Sequence, residues 1–354
     1  MTPFTYNGLP SRVIFGSGTL AQLPAEIDRL GSKRILVLAT PRQKASAERT
    51  AATLGARAAG VFAGAAMHTP VDVTERALAV VKALRADGTL AIGGGSTTGL
   101  GKAIALRTDL PQIVVPTTYA GSEMTPILGE TQDGAKTTQR SLKVLPEAVI
   151  YDVDLTLTLP PGPSGTSGIN AIAYAVEALY AQDRNPVMSL IAEEGIRALA
   201  KSLPVIARAP RDRDARSEAL YGAWLCGSCL GAVGMALHHK LCHTLGGSFD
   251  LPHAETHTVL LPHAVAYNAP AAPEAMAAVA RALGCADAAT GLYDLAGAVG
   301  AKRSLRDLGM SEGGINHAAD IAMSNPYWNP RPLERGAIRE LIARAWAGER
   351  PRST

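Results

Sequence analysis

Six of the chain's eight histidines fall between His238 and His263. His239 and His243 stand at i and i+4 and so share one helix face, with His238 beside them and His253 a short loop further on. Imidazole has an ordinary pKa of about 6.5, so near neutral pH it can hold an anionic oxygen, pass a proton or bind a metal. A lone His-x-x-x-His pair is more often surface or core decoration, and it is the clustering that argues for a site. Upstream, Asn170, Tyr174 and Glu177 fall on one stripe of a helix that the pattern starts near Ser164 or Ser167. Glu177 offers a general base, although a glutamate so placed is more commonly exposed or ion-paired.

A second chemistry sits in the first half. Gly93, Gly94, Gly95, Ser96 and Thr97 follow a strand ending at Ile92 and precede a helix carrying Lys102. Such a turn points backbone N–H groups at a pyrophosphate, and glycine lets the phosphate approach without a Cβ in the way. The alternative is a tight βα turn with no ligand, and the run is not the G-x-G-x-x-G dinucleotide fingerprint. A further loop, Pro116 to Glu123, follows Val114-Val115 and brings Thr117, Thr118 and Tyr119 to the same sheet edge. Ligands of open α/β sheets bind beyond the carboxyl ends of the strands, so the two loops reinforce one another as a cofactor site. After Leu38 the chain reads Ala39-Thr40-Pro41-Arg42, where an NAD-selective site usually places a carboxylate on the ribose hydroxyls. Thr40 therefore joins the candidate cofactor contacts. No carboxylate is there to repel a 2′-phosphate and Arg42 or Lys44 could receive one, which predicts use of NADH or NADPH.

The elements that must carry these groups divide the chain in two. Residues 1–158 alternate strand-length apolar runs, at Arg34–Ala39, Ala59–Phe62, Thr89–Ile92, Gln112–Val115 and Glu147–Tyr151, with amphipathic stretches such as Val71–Arg85. Runs without strict alternation are how strands buried on both faces of a parallel sheet read, which predicts a doubly wound, Rossmann-like α/β domain. After Leu159-Pro-Pro-Gly-Pro163 the strand-like runs vanish, and Ala and Leu recur at helical spacing through Gly348. Residues 159–354 are therefore predicted to form an all-helical domain, with breaks near Pro186, Pro204–Pro210, Pro270–Pro273 and Pro326–Pro332.

Composition sets outer limits. With 354 residues, 47% of them hydrophobic, and a net charge of +3, the chain is long enough for two cores and too weakly charged to argue for nucleic acid or a membrane surface. It has no apolar run of spanning length and no signal-like start, so a cytoplasmic location is the expectation. Cys226-Gly-Ser-Cys229 could be a redox motif or half a zinc site, but no second pair exists and its neighbours read as buried helix.

Taken jointly, Phe15–Gly18, Gly93–Lys102, Pro116–Pro126, Leu145–Asp154, Ser167–Ala173 and Pro326–Pro332 resemble, nearly end to end, the iron-containing alcohol dehydrogenase superfamily, and within it the maleylacetate reductase branch. The resemblance implies a dehydroquinate synthase-like architecture, a homodimer and a nicotinamide-dependent oxidoreductase. Metal-dependent relatives hold Fe²⁺ or Zn²⁺ with Asp-x-x-x-His and two later histidines, and those positions match Asn170, Tyr174, His239 and His253 here. Neutral Asn brings no charge, and Tyr binds only as a phenolate with an ordinary pKa of about 10, so no metal is expected. The superfamily's usual Asp after the glycine turn is Gly99 here.

The branch implies reduction of the C=C bond of maleylacetate, a 4-oxo-2-enedioate, to 3-oxoadipate. In that reaction charge spreads into an enolate instead of gathering on one alkoxide that a Lewis acid would hold. His243 and His253, with His239, are the expected binders of the dicarboxylate's oxygens and the source of the proton. Tyr174 is either a further donor to the enolate or a packed filler of the vacated ligand volume. Lys136, Arg140 and Arg331 are candidate cations for cofactor or carboxylate. The alternative is a metal-dependent alcohol or aldehyde dehydrogenase of the same superfamily. A zinc-dependent lyase similar to dehydroquinate synthase and a catalytically silent nucleotide sensor are more distant ones.

Overall fold

The structure, a computed structural model, describes residues 4–133 and 135–352, with the side chains of residues 135 and 136 outside the description. The chain divides into two compact units between Leu159 and Pro160; the second unit also takes in the short segment that precedes Leu9.

The first unit runs β1 (Arg12–Gly16), α1 (Leu23–Arg29), β2 (Ile35–Leu38), α2 (Lys44–Leu54), β3 (Ala58–Phe62), α3 (Val71–Leu84), β4 (Gly88–Gly93), α4 (Gly95–Thr108), β5 (Gln112–Pro116), β6 (Ile127–Gln132), β7 (Ala135–Arg140) and β8 (Ala148–Asp152). Six strands make one parallel sheet in the order β1-β8-β5-β4-β2-β3. Residues of β2 show why its run lacks alternation. Ile35 and Val37 enter a core with Ile27 of α1 and Ala47 of α2, while Leu36 and Leu38 enter another with Val73 of α3 and Ile104 of α4. Helices cover both faces, so every position of such a strand is apolar.

β4 and β5 pair in register from Thr89↔Gln112 to Gly93↔Pro116, so the glycine turn and the Pro116 loop leave the sheet side by side. Two features lie outside the strand runs read from the sequence. One is β1, which pairs with β8 at the sheet edge. The other is the antiparallel hairpin β6–β7, whose residues are largely polar and whose turn holds Asp133 at φ 51°.

The second unit is helical: α5 (Pro161–Tyr180), α6 (Pro186–Arg208), α7 (Arg213–Ala232), α8 (Leu237–Phe249), α9 (His253–Asn268), α10 (Pro273–Leu283), α11 (Ala288–Ala298), α12 (Gly314–Met323) and α13 (Arg335–Ala347). Pro186 and Pro273 open helices, where proline's missing N–H costs nothing. Pro204, expected at a break, instead lies inside α6. Interior proline costs about 3 kcal/mol, and the packing of this long helix against α5 and α7 offsets it. α5 is buried on every side from Gly168 to Tyr180, as a central helix must be. α8, α9, α12 and α13 close a core around Leu241, Leu260, Ile315 and Ile342.

Cys226 and Cys229 are free thiols buried in α7, and burial pushes Cys229 up to about 12, so neither is a thiolate near neutral pH. Among the described residues no single helix is long and apolar enough to cross a membrane.

Candidate active site

Three helices of the second unit carry the site residues: α5 supplies Asn170, Tyr174 and Glu177, α8 supplies His238, His239 and His243, and α9 supplies His253 and His257. Glu177 organises two of them. Its carboxylate is fully buried, accepts the backbone N–H groups of Ala236 and His238 at 2.7 Å each, and lies 2.7 Å from Nδ1 of His239. Ala236 is the N-cap of α8 and has no capping side chain of its own, so Glu177 caps α8 from the neighbouring helix. An ionised carboxylate only accepts, which makes Nδ1 of His239 the donor. Of the two expectations for Glu177, exposed or ion-paired, the exposed one fails and the pairing with His239 stands: three donors satisfy the charge that burial would otherwise make costly.

Asn170 and Tyr174 are 3% and 5% exposed, and the Asn170 Nδ2 donates to the Tyr174 hydroxyl at 2.7 Å. The Tyr174 ring lies against His239, centroids 5.3 Å apart and planes tilted by 30°. The residues at the superfamily's carboxylate and first imidazole positions thus bond to each other. A neutral amide, a phenol engaged with that amide and imidazoles supply no negative charge, so this donor set does not fit a tightly held Fe²⁺ or Zn²⁺. The Asn170 Oδ1 and His239 Nε2 atoms are buried with no protein partner.

Behind them, His238 Nε2 and His257 Nδ1 are 3.0 Å apart and share one proton, with Cys242 Sγ 3.6 Å from the former. These three ligand-type atoms lie within 4.8 Å of one another. Burial first, then neighbouring imidazoles, hold both histidines well below the usual range, and burial pushes the Cys242 thiol up, so all three are neutral. His253 and His257 rings are 4.4 Å apart, and His253 is half-buried. His243 Nδ1 is 3.0 Å from the Tyr327 hydroxyl, which belongs to the segment between α12 and α13. That segment is pinned to α9: Asn268 and Asn329 exchange amide hydrogen bonds at 2.9 and 2.7 Å, and Arg331 donates to the Tyr267 carbonyl at 2.8 Å.

In the first unit, Gly93 has φ +156°, and a Cβ there would lie 2.5 Å from Thr97 Oγ1 and 2.8 Å from Gln43 Oε1. Only glycine fits the turn. α4 starts at Gly95 with no side-chain cap, leaving its first N–H groups to a ligand or to water. Thr40 donates to Gln43 Oε1 at 3.1 Å, and Gln43 donates to Thr117 Oγ1 at 3.1 Å, so Gln43 joins the ends of β2 and β5 beside the glycine turn. Gly95 is exposed, Ser96 and Thr118 are half-buried, and Thr97 and Tyr119 are buried. An uncapped helix start beside a side-chain-free turn fits the pyrophosphate of a nicotinamide dinucleotide.

Lys102, fully buried, donates to the carbonyls of Ser122, Thr125 and Ile127 and to Thr125 Oγ1 at 2.6 to 2.9 Å, fastening the Pro116 loop. Burial lowers its ammonium to about 7, opposed by the nearby Glu123. At Gly99 an added Cβ would meet Thr69 Oγ1 at 2.3 Å, so Thr69 takes the space beside this position.

The remaining candidates scatter. Arg42 and Lys44 are exposed, Lys44 lying 3.7 Å from Glu48. Arg140 is exposed at the end of β7, and the side chain of Lys136, on the same strand, lies outside the described residues. Arg331 stacks on the Tyr267 ring at 4.4 Å and lines a cavity of about 110 Å³ with His263, Arg344 and Arg352. Sequence reasoning missed Gln43, Cys242, His257 and Tyr327 as parts of these arrangements. His257 alone carried a signal, lying four residues after His253.

A doubly wound sheet with a glycine turn at its strand ends, followed by a helical unit with clustered histidines, defines a nicotinamide-dependent oxidoreductase of the dehydroquinate synthase-like architecture. The chain belongs to the iron-containing alcohol dehydrogenase family: residues 10–153 match that family and residues 165–346 match its C-terminal region. It is similar to the maleylacetate reductase of Rhizobium sp. (strain MTP-10005), 59% identical over 99% of this chain and 100% of that protein. The maleylacetate reductase of Burkholderia cepacia is 58% identical over 99% and 100% of the two chains. Among solved structures, a maleylacetate reductase from Agrobacterium tumefaciens superposes with a TM-score of 0.96 at 58% identity, covering 99% and 100%. A 1,3-propanediol oxidoreductase does so with a TM-score of 0.90 at 26% identity, covering 97% and 100%.

Proposed function

We propose that this protein is a maleylacetate reductase, reducing the C=C bond of maleylacetate to 3-oxoadipate with NADH or NADPH and without a metal. The observation that carries the reading is the Asn170 to Tyr174 hydrogen bond of 2.7 Å, made by the two residues that stand where metal-dependent relatives place a carboxylate and an imidazole. The identity of more than half of all positions with reductases of that name supports the substrate.

The bound nicotinamide supplies hydride. Gly93 to Thr97 and the N-terminus of α4 would hold its pyrophosphate, and Thr40, Thr117, Thr118 and Tyr119 would add cofactor contacts. Conjugate reduction leaves negative charge spread over an enolate and its carboxylate, and N–H groups of His243 and His253, with His239, hold those oxygens. An imidazolium among these three hands over the proton that forms the second new C–H bond, and solvent restores it. The Tyr327 hydroxyl fixes the His243 ring, and Tyr174 packs against His239. The reading includes a small dicarboxylate substrate, a homodimer and a cytoplasmic setting.

The test follows nicotinamide absorbance with maleylacetate and identifies the product by NMR. 3-Oxoadipate is the expected product, with a rate lowered about 10²- to 10⁴-fold in His243→Ala. A hydroxy-enedioate, reduced at the ketone, or no turnover at all would reject the reading. One observation favours the metal-dependent alternative: Asn170 Oδ1 and His239 Nε2 are two buried acceptors without protein partners. Stoichiometric iron or zinc, with activity lost on chelation, would establish that alternative.

A further inference from the structure

We infer that Glu177 is a positioning residue for the reaction, which it serves by keeping a proton on Nδ1 of His239 so that Nε2 is the only nitrogen through which this histidine meets substrate or exchanges a proton. The inference rests on the reductase reading above only for the reaction it serves. Its geometry stands alone. Glu177 is 0% exposed, and its two oxygens accept from Ala236 N, His238 N and His239 Nδ1, each at 2.7 Å. Those bonds engage both oxygens in a dry setting, so the carboxylate has no access to substrate and cannot serve as the general base that its residue type first allowed.

The two backbone donors do separate work from the ring. They fix the carboxylate by tying it to the first turn of α8, and the fixed carboxylate in turn sets where the His239 ring points, since His239 belongs to that same turn. Helix start, carboxylate and imidazole form one rigid unit. A histidine held at Nδ1 by a buried carboxylate presents Nε2 in both its neutral and its protonated form. In this protein Nε2 of His239 is buried and has no partner among the described residues, and Tyr174 and His257 flank the ring with centroids at 5.3 and 5.0 Å. The same arrangement orients metal-bound histidines in other proteins, and here it persists beside a donor set that does not suit a metal.

The test begins with the unsubstituted protein. ¹⁵N-histidine NMR at neutral pH, with His239 signals assigned by their loss in His239→Asn, should show Nδ1 protonated. Nδ1 bare with the proton on Nε2 would overturn the inference whatever the enzyme reduces. In Glu177→Gln the amide offers N–H in place of one acceptor, so the proton should leave Nδ1, and kcat should fall by about 10- to 100-fold while KM and NADH affinity change less than about threefold. A folded Glu177→Gln protein that keeps both the native tautomer and the native kcat would equally overturn it. If the NMR result holds and maleylacetate is not reduced, the reductase reading fails and the positioning role survives.

Discussion

The amide of Asn170 donates to the hydroxyl of Tyr174 one turn further along α5, at 2.7 Å, with both residues almost fully buried. Replacing Tyr174 by Phe leaves a buried N–H without its acceptor, which costs about 1–3 kcal/mol. Urea unfolding should show that loss as a lower midpoint at an unchanged slope. The double substitution Asn170→Asp with Tyr174→His restores a carboxylate and an imidazole, and elemental analysis should then find Fe²⁺ or Zn²⁺ retained through gel filtration. Continued absence of metal in that variant would show that the ligand types are not what sets metal affinity here.

His243 should depend on Tyr327. The hydroxyl 3.0 Å from Nδ1 sets the ring's orientation, so Tyr327→Phe is expected to lower kcat by about tenfold, with little change in stability because Tyr327 is 37% exposed. Steady-state kinetics paired with thermal unfolding separates the two effects. A variant that loses stability and keeps kcat would make the contact a packing feature only.

Acid should destabilise the protein through its buried neutral imidazoles. Burial, then the charge of Arg344, lowers His263 to about 4, below its unfolded value of about 6.5. Between those values the unfolded chain binds the proton and the folded chain does not, so stability is full above about pH 6.5 and declines as pH falls towards 4, by about 3 kcal/mol for this residue. His238 and His257 shift in the same direction and steepen the decline. Urea midpoints at pH 7 and pH 4.5 should differ more in the native protein than in His263→Gln, whose side chain cannot take the proton.

Lys102 anchors the loop that holds Thr117 to Tyr119. Lys102→Met removes the ammonium that three carbonyls and a hydroxyl share and leaves the buried Glu123 without its nearby cation, and losing one partner of a buried charged pair costs about 3–5 kcal/mol. Cofactor affinity should fall with the stability, measured by fluorescence titration of NADH. Native NADH affinity in Lys102→Met would separate the loop from the cofactor site.

Patterns that depend on local period and backbone freedom were legible in the sequence. The strand runs of the first unit and the Gly93 turn fall where hydrophobic period and glycine content place them, because each reflects the burial or dihedral needs of neighbouring residues. β6 and β7 escape a linear scan: two thirds of their residues are polar, and only the Asp133-Gly134 dipeptide hints at a hairpin. Pro204 was misread as a stop because packing between helices, invisible to a linear scan, outweighs one missing hydrogen bond. Glu177 shows the larger limit. Its spacing placed it on the right stripe, but its partners lie 59 to 62 residues away, and only folding shows that the carboxylate is buried and satisfied.

Under the proposed function these residues reduce an activated alkene without a metal. The decisive test is the rate of NADH oxidation with maleylacetate by enzyme dialysed against EDTA and shown by elemental analysis to hold no iron, zinc or manganese. The full native rate in that preparation, unchanged when Fe²⁺ or Zn²⁺ is added, is the expected result. A rate that vanishes on dialysis and returns with either metal would make the protein a metal-dependent reductase instead.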